Sequence, residues 1–196
     1  MKTIKGLMLS VLFLLLTVPA LAQTPPSLNL SYTDNATNED GYSIYRCQGA
    51  GCDPTATKLI DLGPNITSYV DAGLAQAATY CYTADAFNTA GRSAKPPTVC
   101  AVTQAQLTAA KLGTGQGTVT SAPAGITCGA TCAFWFAGNS SVTLSAVAAT
   151  GMQFAGWSGA CTGTASCVVP MTSAKSVTAT FNAITAPNAP TNFLVK

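Results

Sequence analysis

The eight cysteines are the residues of this 196-residue chain with the clearest chemical options, which are metal binding and disulfide formation. None of the close pairs has the Cys-x-x-Cys spacing typical of zinc sites. An even number of cysteines in an exported chain favours disulfides. We therefore predict disulfides at Cys47, Cys52, Cys81, Cys100, Cys128, Cys132, Cys161 and Cys167.

Acid–base catalysis has few candidate residues in this sequence. The chain contains no histidine, which excludes Ser-His-Asp and Cys-His catalysis and histidine-ligated zinc. The acidic residues all lie between Asp34 and Asp85, and no pair of them stands out as the two carboxylates of a glycoside hydrolase. Asp34, Glu39 and Asp40 cluster but lack the ligand spacing of an EF-hand, so we interpret them as a structural turn. We expect no enzymatic activity, no cofactor and no metal site.

Gly113, Gly115 and Gly117 form a glycine-rich stretch that could in principle cradle a phosphate group. A phosphate loop needs a following Lys-Ser/Thr and the N-terminus of a helix, and neither is predicted here. We predict a tight β-hairpin at these glycines instead.

Trp135 is the candidate ligand-contact residue. It stands between Phe134 and Phe136, and side chains along a strand point alternately to opposite faces. If the two phenylalanines point inward, Trp135 points outward, where an indole can stack on a sugar ring or a partner surface. The alternative is that Trp135 packs against a neighbouring module or loop.

The first 22 residues have the features of a secretory signal peptide. Lys2 and Lys5 precede an apolar stretch, and Ala20-Leu21-Ala22 is the predicted cleavage site. The apolar stretch is shorter than a membrane-spanning helix. We therefore expect a secreted, extracellular or cell-surface protein, with the periplasm as an alternative and no membrane insertion after signal removal. Without the two lysines, acidic and basic residues are equal in number, which argues against a nucleic-acid partner.

Short segments of alternating apolar and polar residues, separated by turn signals, continue through the chain after Gln23. Many short strands at this spacing are typical of all-β sandwiches or barrels. No amphipathic helix stands out, so the predicted fold class is all-β.

The segment from Ser27 to Thr103 resembles a bacterial fibronectin type III domain, which implies an immunoglobulin-like sandwich. Tyr32 stands where the family usually has tryptophan. Leu74 and Tyr80 match its tyrosine corner, in which a hydroxyl group holds a crossing loop. The segments that carry the resemblance are LNLSYTDN (28–35), GYSIYR (41–46) and YCYTADAFNTAG (80–91).

This resemblance implies two disulfides. Cys81 and Cys100 would point outward from neighbouring strands, which makes a cross-strand bridge between them plausible. A Cys47–Cys52 bridge would then close the tip of the next hairpin.

The segment from Leu107 to Asn182 resembles a divergent internalin-type B-repeat domain of bacterial surface proteins. Local Cys128–Cys132 and Cys161–Cys167 bridges would hold its loops, and Trp157 would be a core residue. The matching segments are GTGQGTV (113–119), PAGITCG (123–129), Phe136, VTL (142–144), FAGWSG (154–159) and SVTATF (176–181).

These resemblances predict a signal peptide at 1–22, a fibronectin type III-like domain at 23–104 with a short or missing first strand, and a B-repeat domain at 105–183. Residues 184–196 would be a linker and the start of a further fibronectin type III-like strand. Its Phe193 and Val195 could fill the open edge of a second copy, which would give weak head-to-tail self-association.

The function predicted from these modules is non-catalytic: adhesion, spacing, or contact with an extracellular polysaccharide or surface protein. The alternative is that the chain is an accessory-module fragment of an extracellular hydrolase whose catalytic domain is absent. Both rest on fold analogy, which by itself does not determine function.

Overall fold

The computed structural model of the chain describes residues 8–10, 26–129, 131–185 and 187. The rest of the predicted signal peptide, and Phe193 and Val195 of the predicted tail strand, lie outside these residues. One short 3-10 turn, Pro54–Ala56, accompanies the strands, so the all-β prediction is confirmed. The strands in chain order are β1 (Met8–Ser10), β2 (Leu28–Thr33), β3 (Gly41–Gln48), β4 (Lys58–Leu62), β5 (Ser68–Asp71), β6 (Thr79–Asn88), β7 (Gly91–Arg92), β8 (Val99–Val102), β9 (Ala105–Leu112), β10 (Gly117–Ala122), β11 (Thr127–Cys128), β12 (Ala133–Phe136), β13 (Ser141–Ala148), β14 (Met152–Gly159), β15 (Cys167–Pro170) and β16 (Lys175–Ala183).

The described residues form two compact units. The first contains the chain up to Gln106 together with Trp135–Ser140 and Pro170–Ala174. The second contains Leu107–Phe134, Ser141–Val169 and the described residues from Lys175 onward. Within the described part of the chain, no helix is both long enough and apolar enough to cross a membrane.

The first unit is an immunoglobulin-like sandwich of two antiparallel sheets. One sheet has the order β1-β2-β5, and the other has the order β4-β3-β6-β7, with β8 also paired to β6. Alternation directs the apolar side chains of both sheets into one core, because residues two apart in a strand share a face. This core consists of Leu28, Leu30, Tyr32, Tyr42, Ile44, Leu74, Tyr80, Tyr82, Ala84 and Ala86.

The predicted tyrosine corner is present in the first unit. The Tyr80 hydroxyl accepts a hydrogen bond from the Ala75 backbone N–H at 3.1 Å, and Leu74 is buried beside it. Tyr32, which stands in the usual tryptophan position, is buried and packs against Tyr42 with ring centroids 5.0 Å apart.

The second unit is built around two four-stranded sheets, in the orders β11-β10-β13-β15 and β12-β9-β16-β14. Strand β16 pairs in parallel with β9 and antiparallel with β14. Trp157 is buried as predicted, and its indole N–H donates to the Ala165 carbonyl at 2.8 Å. The buried apolar residues of this unit include Leu107, Val119, Ile126, Val142, Leu144, Val169, Val177, Ala179 and Phe181.

The hairpin predicted at Gly113–Gly117 is wrong. The strands on either side of these glycines, β9 and β10, belong to different sheets, so the segment crosses between sheets. Glycine is needed here because the segment passes very close to β16. A Cβ atom on Gly117 would lie 2.2 Å from the Phe181 ring.

Candidate functional site

All eight cysteines form disulfides, and none is free. The pairings agree with those that the family resemblances imply, with two bridges in each unit, and they leave no cysteine thiolate available to a metal. The four bridges are Cys47–Cys52, Cys81–Cys100, Cys128–Cys132 and Cys161–Cys167.

The Asp71 carboxylate is held inside the first unit by two partners. It is 3% exposed, and Arg46 Nη1 approaches its Oδ1 at 2.8 Å. The Tyr82 hydroxyl donates to Oδ2 at 2.7 Å. Burial raises the pKa of Tyr82, and the hydrogen bond to Asp71 raises it further. The Asp71 carboxylate therefore has a structural role within the first unit.

Asp85 is the centre of a second buried polar network, on the outer face of β6. Its carboxylate accepts hydrogen bonds from Arg92 at 2.5 Å and from the Tyr45 hydroxyl at 3.1 Å. Lys95 Nζ lies 3.2 Å from Oδ2 and 4.0 Å from the centre of the Tyr45 ring. The charge is compensated by these cations, as a buried carboxylate requires.

Asp34 and Asp61 are also used within the first unit. Asp34 Oδ1 accepts hydrogen bonds from the Ala36 N–H at 3.0 Å and from the Tyr42 hydroxyl, which is the geometry of a stabilised turn. Hydrogen bonds donated by Lys58 and Ser43 to the Asp61 carboxylate lower its pKa, and the bond from Lys58 has the larger effect. These bonds give Asp34 the structural role that the sequence predicts.

Trp135 is half-buried, although the sequence predicts an outward-facing side chain. Phe136 is buried as expected, and the Phe134 ring packs against Gly125, where a Cβ atom would lie 2.5 Å from it. Among the described residues, the Trp135 indole Nε1 is buried and has no hydrogen-bond partner. Contact with a ligand would therefore use the ring surface of Trp135 rather than its N–H group.

A pair of adjoining clefts in the second unit was not predicted from the sequence. They have volumes of about 200 and 350 Å³, and both are lined by Lys111, Gln116 and Gly117. The exposed side chain of Val147 borders the larger one. Lys111 precedes the glycine-rich segment and Gln116 lies within it, and this was the available sequence signal. The clefts are shallow and small, at the lower limit of ligand pockets.

Comparisons with known proteins find a family similarity in the second half of the chain. Residues 107–185 match the family model of the divergent InlB B-repeat domain. No curated protein sequence matches the chain. Among solved structures, the FN1–FN3 domains of chicken CNTN1 match with 12% sequence identity and a TM-score of 0.37, covering 97% of this chain and 70% of that one. That structural similarity is too low to support an argument about fold or function.

Proposed function

We propose that this protein is a non-catalytic, exported modular protein that acts in adhesion, spacing or contact with polysaccharides or surface proteins. The observation that carries the proposal is the B-repeat match over residues 107–185, in a chain whose cysteines are all in disulfides. Disulfides persist mainly outside the cytoplasm, which supports an extracellular or cell-surface location. Repeat-type domains of this kind are generally non-catalytic.

In this proposal the first unit is a fibronectin type III-like spacer. Its strand order and the Tyr80 corner support that assignment. The carboxylates of Asp71 and Asp85 are bound to cationic side chains of the same unit, which favours a stabilising role. A rigid spacer of this type would hold a contact surface away from the cell.

We place the contact surface for a polysaccharide at Trp135. A half-buried indole can offer a ring surface to a sugar at little entropic cost, because the surrounding structure already orients the ring. The clefts at Lys111 form a second candidate surface, and Lys111 would add an attraction for acidic sugars.

Binding of the mature chain (residues 23–196) to bacterial and plant polysaccharides tests this function. Trp135→Ala should reduce binding at least tenfold, and Lys111→Gln should reduce only binding to acidic polysaccharides. Val168→Ala is the control, because Val168 is an exposed apolar residue, at 56% exposure, that does not line either cleft. Loss of binding in the control as well, or equal binding by Trp135→Ala, would contradict a site at Trp135.

The alternative role, as an accessory module of an extracellular hydrolase, makes a different prediction. A catalytic domain would then be encoded in frame with this chain, and the modules would increase that domain's activity on insoluble substrate. Sequencing the coding region downstream of Lys196 distinguishes the two roles, because a stop codon there would favour the stand-alone protein.

We also propose weak head-to-tail self-association through the edge of β2. The supporting observation is that Met8–Ser10 pairs antiparallel with β2, in a register from Met8 opposite Thr33 to Ser10 opposite Ser31. That edge can therefore accept an added strand. Removal of the predicted signal peptide would vacate it for a strand of a second copy, for which the segment with Phe193 and Val195 is the proposed donor.

Light scattering of the mature chain over a range of concentrations tests the association. The Tyr32 N–H donates to Thr67 on the β5 side, so the N–H of the preceding residue, Ser31, faces the opposite edge. Ser31→Pro should abolish concentration-dependent dimers, because proline removes that donor, whereas Ser31→Ala should keep them. A wild-type chain that stays monomeric at high concentration would contradict the proposal.

A further inference from the structure

Two disulfides of the first unit lie side by side on one sheet. Cys47 on β3 is the register partner of Cys81 on β6, and Cys81 is the register partner of Cys100 on β8. Cys52 joins this row through its bridge to Cys47. The Sγ atoms of Cys47, Cys52 and Cys81 all lie within 4.8 Å of one another. We call these four residues the sulfur cluster.

The sulfur cluster permits a pairing that is not formed in this structure. Residues directly opposite each other on antiparallel strands have Cα separations of about 4.5–5.5 Å, and disulfides span about 4.4–6.8 Å. A Cys47–Cys81 bridge therefore fits the existing strand register without movement of either strand. Cys81 has two accessible partners, Cys100 and Cys47.

Exposure differs strongly within the cluster. Cys81 is fully buried at 0% exposure, so a thiol in solution cannot reach its sulfur directly. Cys47 and Cys52 are half-buried and Cys100 is exposed. The sulfur of Cys47 is already next to Cys81, so attack on the Cys81 sulfur, unlike attack on the exposed Cys100 sulfur of the same bridge, can come only from inside the cluster.

We propose that the sulfur cluster is a thiol–disulfide exchange site that reacts with an external thiol and exposes a new thiol at Cys100. The external thiolate attacks the Cys52 sulfur, forms a mixed disulfide with it, and displaces the Cys47 thiolate. The Cys47 thiolate then attacks the Cys81 sulfur, forms the Cys47–Cys81 bridge, and displaces the Cys100 thiolate. One thiol is consumed and one is released. The two original bridges are broken and two disulfides form, the mixed one at Cys52 and the Cys47–Cys81 bridge, so no net oxidant or reductant is needed.

This site would give the protein a means of covalent attachment. The Cys100 thiolate is released on the surface, where it can attack a disulfide of a partner protein. The partner class that the chemistry selects is therefore a thiol or disulfide carrier in the same compartment. This inference is independent of polysaccharide binding at Trp135.

Cys52→Ser tests the internal step by leaving Cys47 as a free thiol beside an intact Cys81–Cys100 bridge. The variant is incubated at pH 8, quenched in acid, alkylated under denaturing conditions and mapped by mass spectrometry. We expect alkylation at Cys100 together with a peptide linked through Cys47 and Cys81. Alkylation confined to Cys47 would overturn the proposal.

Two further variants complete the test. Cys132→Ser is the matched control, because it frees Cys128 in the second unit, outside the sulfur cluster, and alkylation should stay at Cys128. The double variant Cys52→Ser/Cys100→Ser retains only Cys47 and Cys81 in the first unit. It should contain no free thiol, and two alkylated cysteines in this variant would overturn the proposal even if Cys52→Ser folds poorly.

Reduced glutathione tests the complete reaction in the wild-type mature chain. We expect glutathione on Cys52, the Cys47–Cys81 bridge, and a free thiol at Cys100. Glutathione on Cys52 with the free thiol remaining on Cys47 would show that exchange stops at the first step, and would overturn the proposal.

Discussion

At the residue scale, three buried tyrosines bind oxygen acceptors inside the first unit. The Tyr32 hydroxyl donates to the Ile66 carbonyl, Tyr42 donates to Asp34, and Tyr82 donates to Asp71. Burial raises the pKa of each of these phenols, and the neighbouring carboxylates Asp34 and Asp71 add to the effect. The folded unit therefore keeps these groups protonated at pH values where the unfolded chain ionises them.

This difference predicts that the first unit loses stability above about pH 10, the ordinary pKa of tyrosine. Above that pH the unfolded state binds fewer protons than the folded state, so the free energy of unfolding falls as the pH rises. Each such tyrosine contributes a slope of up to about 1.4 kcal/mol per pH unit. Urea unfolding at pH 8, 10 and 11 measures the effect.

Tyr82→Phe is the matched variant for the alkaline titration. It removes one ionisable group, so the pH dependence of its unfolding free energy should be shallower than that of the wild type. It should also be less stable at pH 8 by about 1–3 kcal/mol, because Asp71 loses a hydrogen bond. Equal pH slopes for the two proteins would contradict the explanation.

At the element scale, the crossing from β9 to β10 depends on glycine. Gly113 has a φ of +98°, and a Cβ atom there would lie 1.9 Å from the Phe181 carbonyl oxygen. This positive φ is unfavourable for any residue with a Cβ atom, and the short distance to the carbonyl oxygen would require the β16 backbone to move. The segment that connects the two sheets of the second unit therefore has no room for a side chain at Gly113 or Gly117.

Gly113→Ala should accordingly lower the free energy of unfolding by about 2–5 kcal/mol, from backbone strain and overpacking together. Gly129→Ala in the same unit is the control, because a Cβ atom at Gly129 would meet no atom within 4 Å. We expect the control to change stability by less than about 0.5 kcal/mol. Denaturation followed by tryptophan fluorescence measures both, and equal effects would refute the role of close approach at Gly113.

At the scale of the whole molecule, disulfides and charge are distributed differently between the two units. Each unit has two bridges, but only the first contains carboxylate side chains. Buried ion pairs such as Arg46–Asp71 therefore act in the first unit alone. The second unit depends on apolar packing and its local bridges.

Loop length predicts which bridge stabilises the protein most. Cys81 and Cys100 are 19 residues apart, whereas Cys161 and Cys167 are 6 apart. Replacing both cysteines of the longer bridge by alanine should lower the free energy of unfolding by about 3 kcal/mol, and the same change at the shorter bridge by about 1 kcal/mol less. Each of the two pairs contains one buried cysteine, so the packing lost on substitution by alanine is similar for the two bridges. Chemical unfolding without reductant measures both, and a larger loss at the shorter bridge would contradict the chain-entropy explanation.

Local sequence patterns predicted much of the fold. Tyr32, Tyr42 and Tyr82 are buried on strands whose apolar residues alternate as the sequence predicts, and the Leu74–Tyr80 spacing indicated the loop that crosses the first unit. The cysteine pairs were predicted instead from the two family resemblances, which put the partners in short loops or on adjacent strands. The ligand-contact role of Trp135 stays a prediction, since the side chain is half-buried and only part of it is exposed to solvent.

The sequence by itself determined the all-β class and the inward faces of the strands, because a two-residue period is a local property of the chain. The division into modules and the partners of the cysteines were predicted from the family resemblances. Only the tertiary structure decided that β9 and β10 join different sheets, that Asp85 is buried under Arg92 and Lys95, and that Cys47 lies beside Cys81. The physical reason is that alternation determines which way a side chain points within its own strand. Which distant strand becomes its neighbour depends on how the sheets pack.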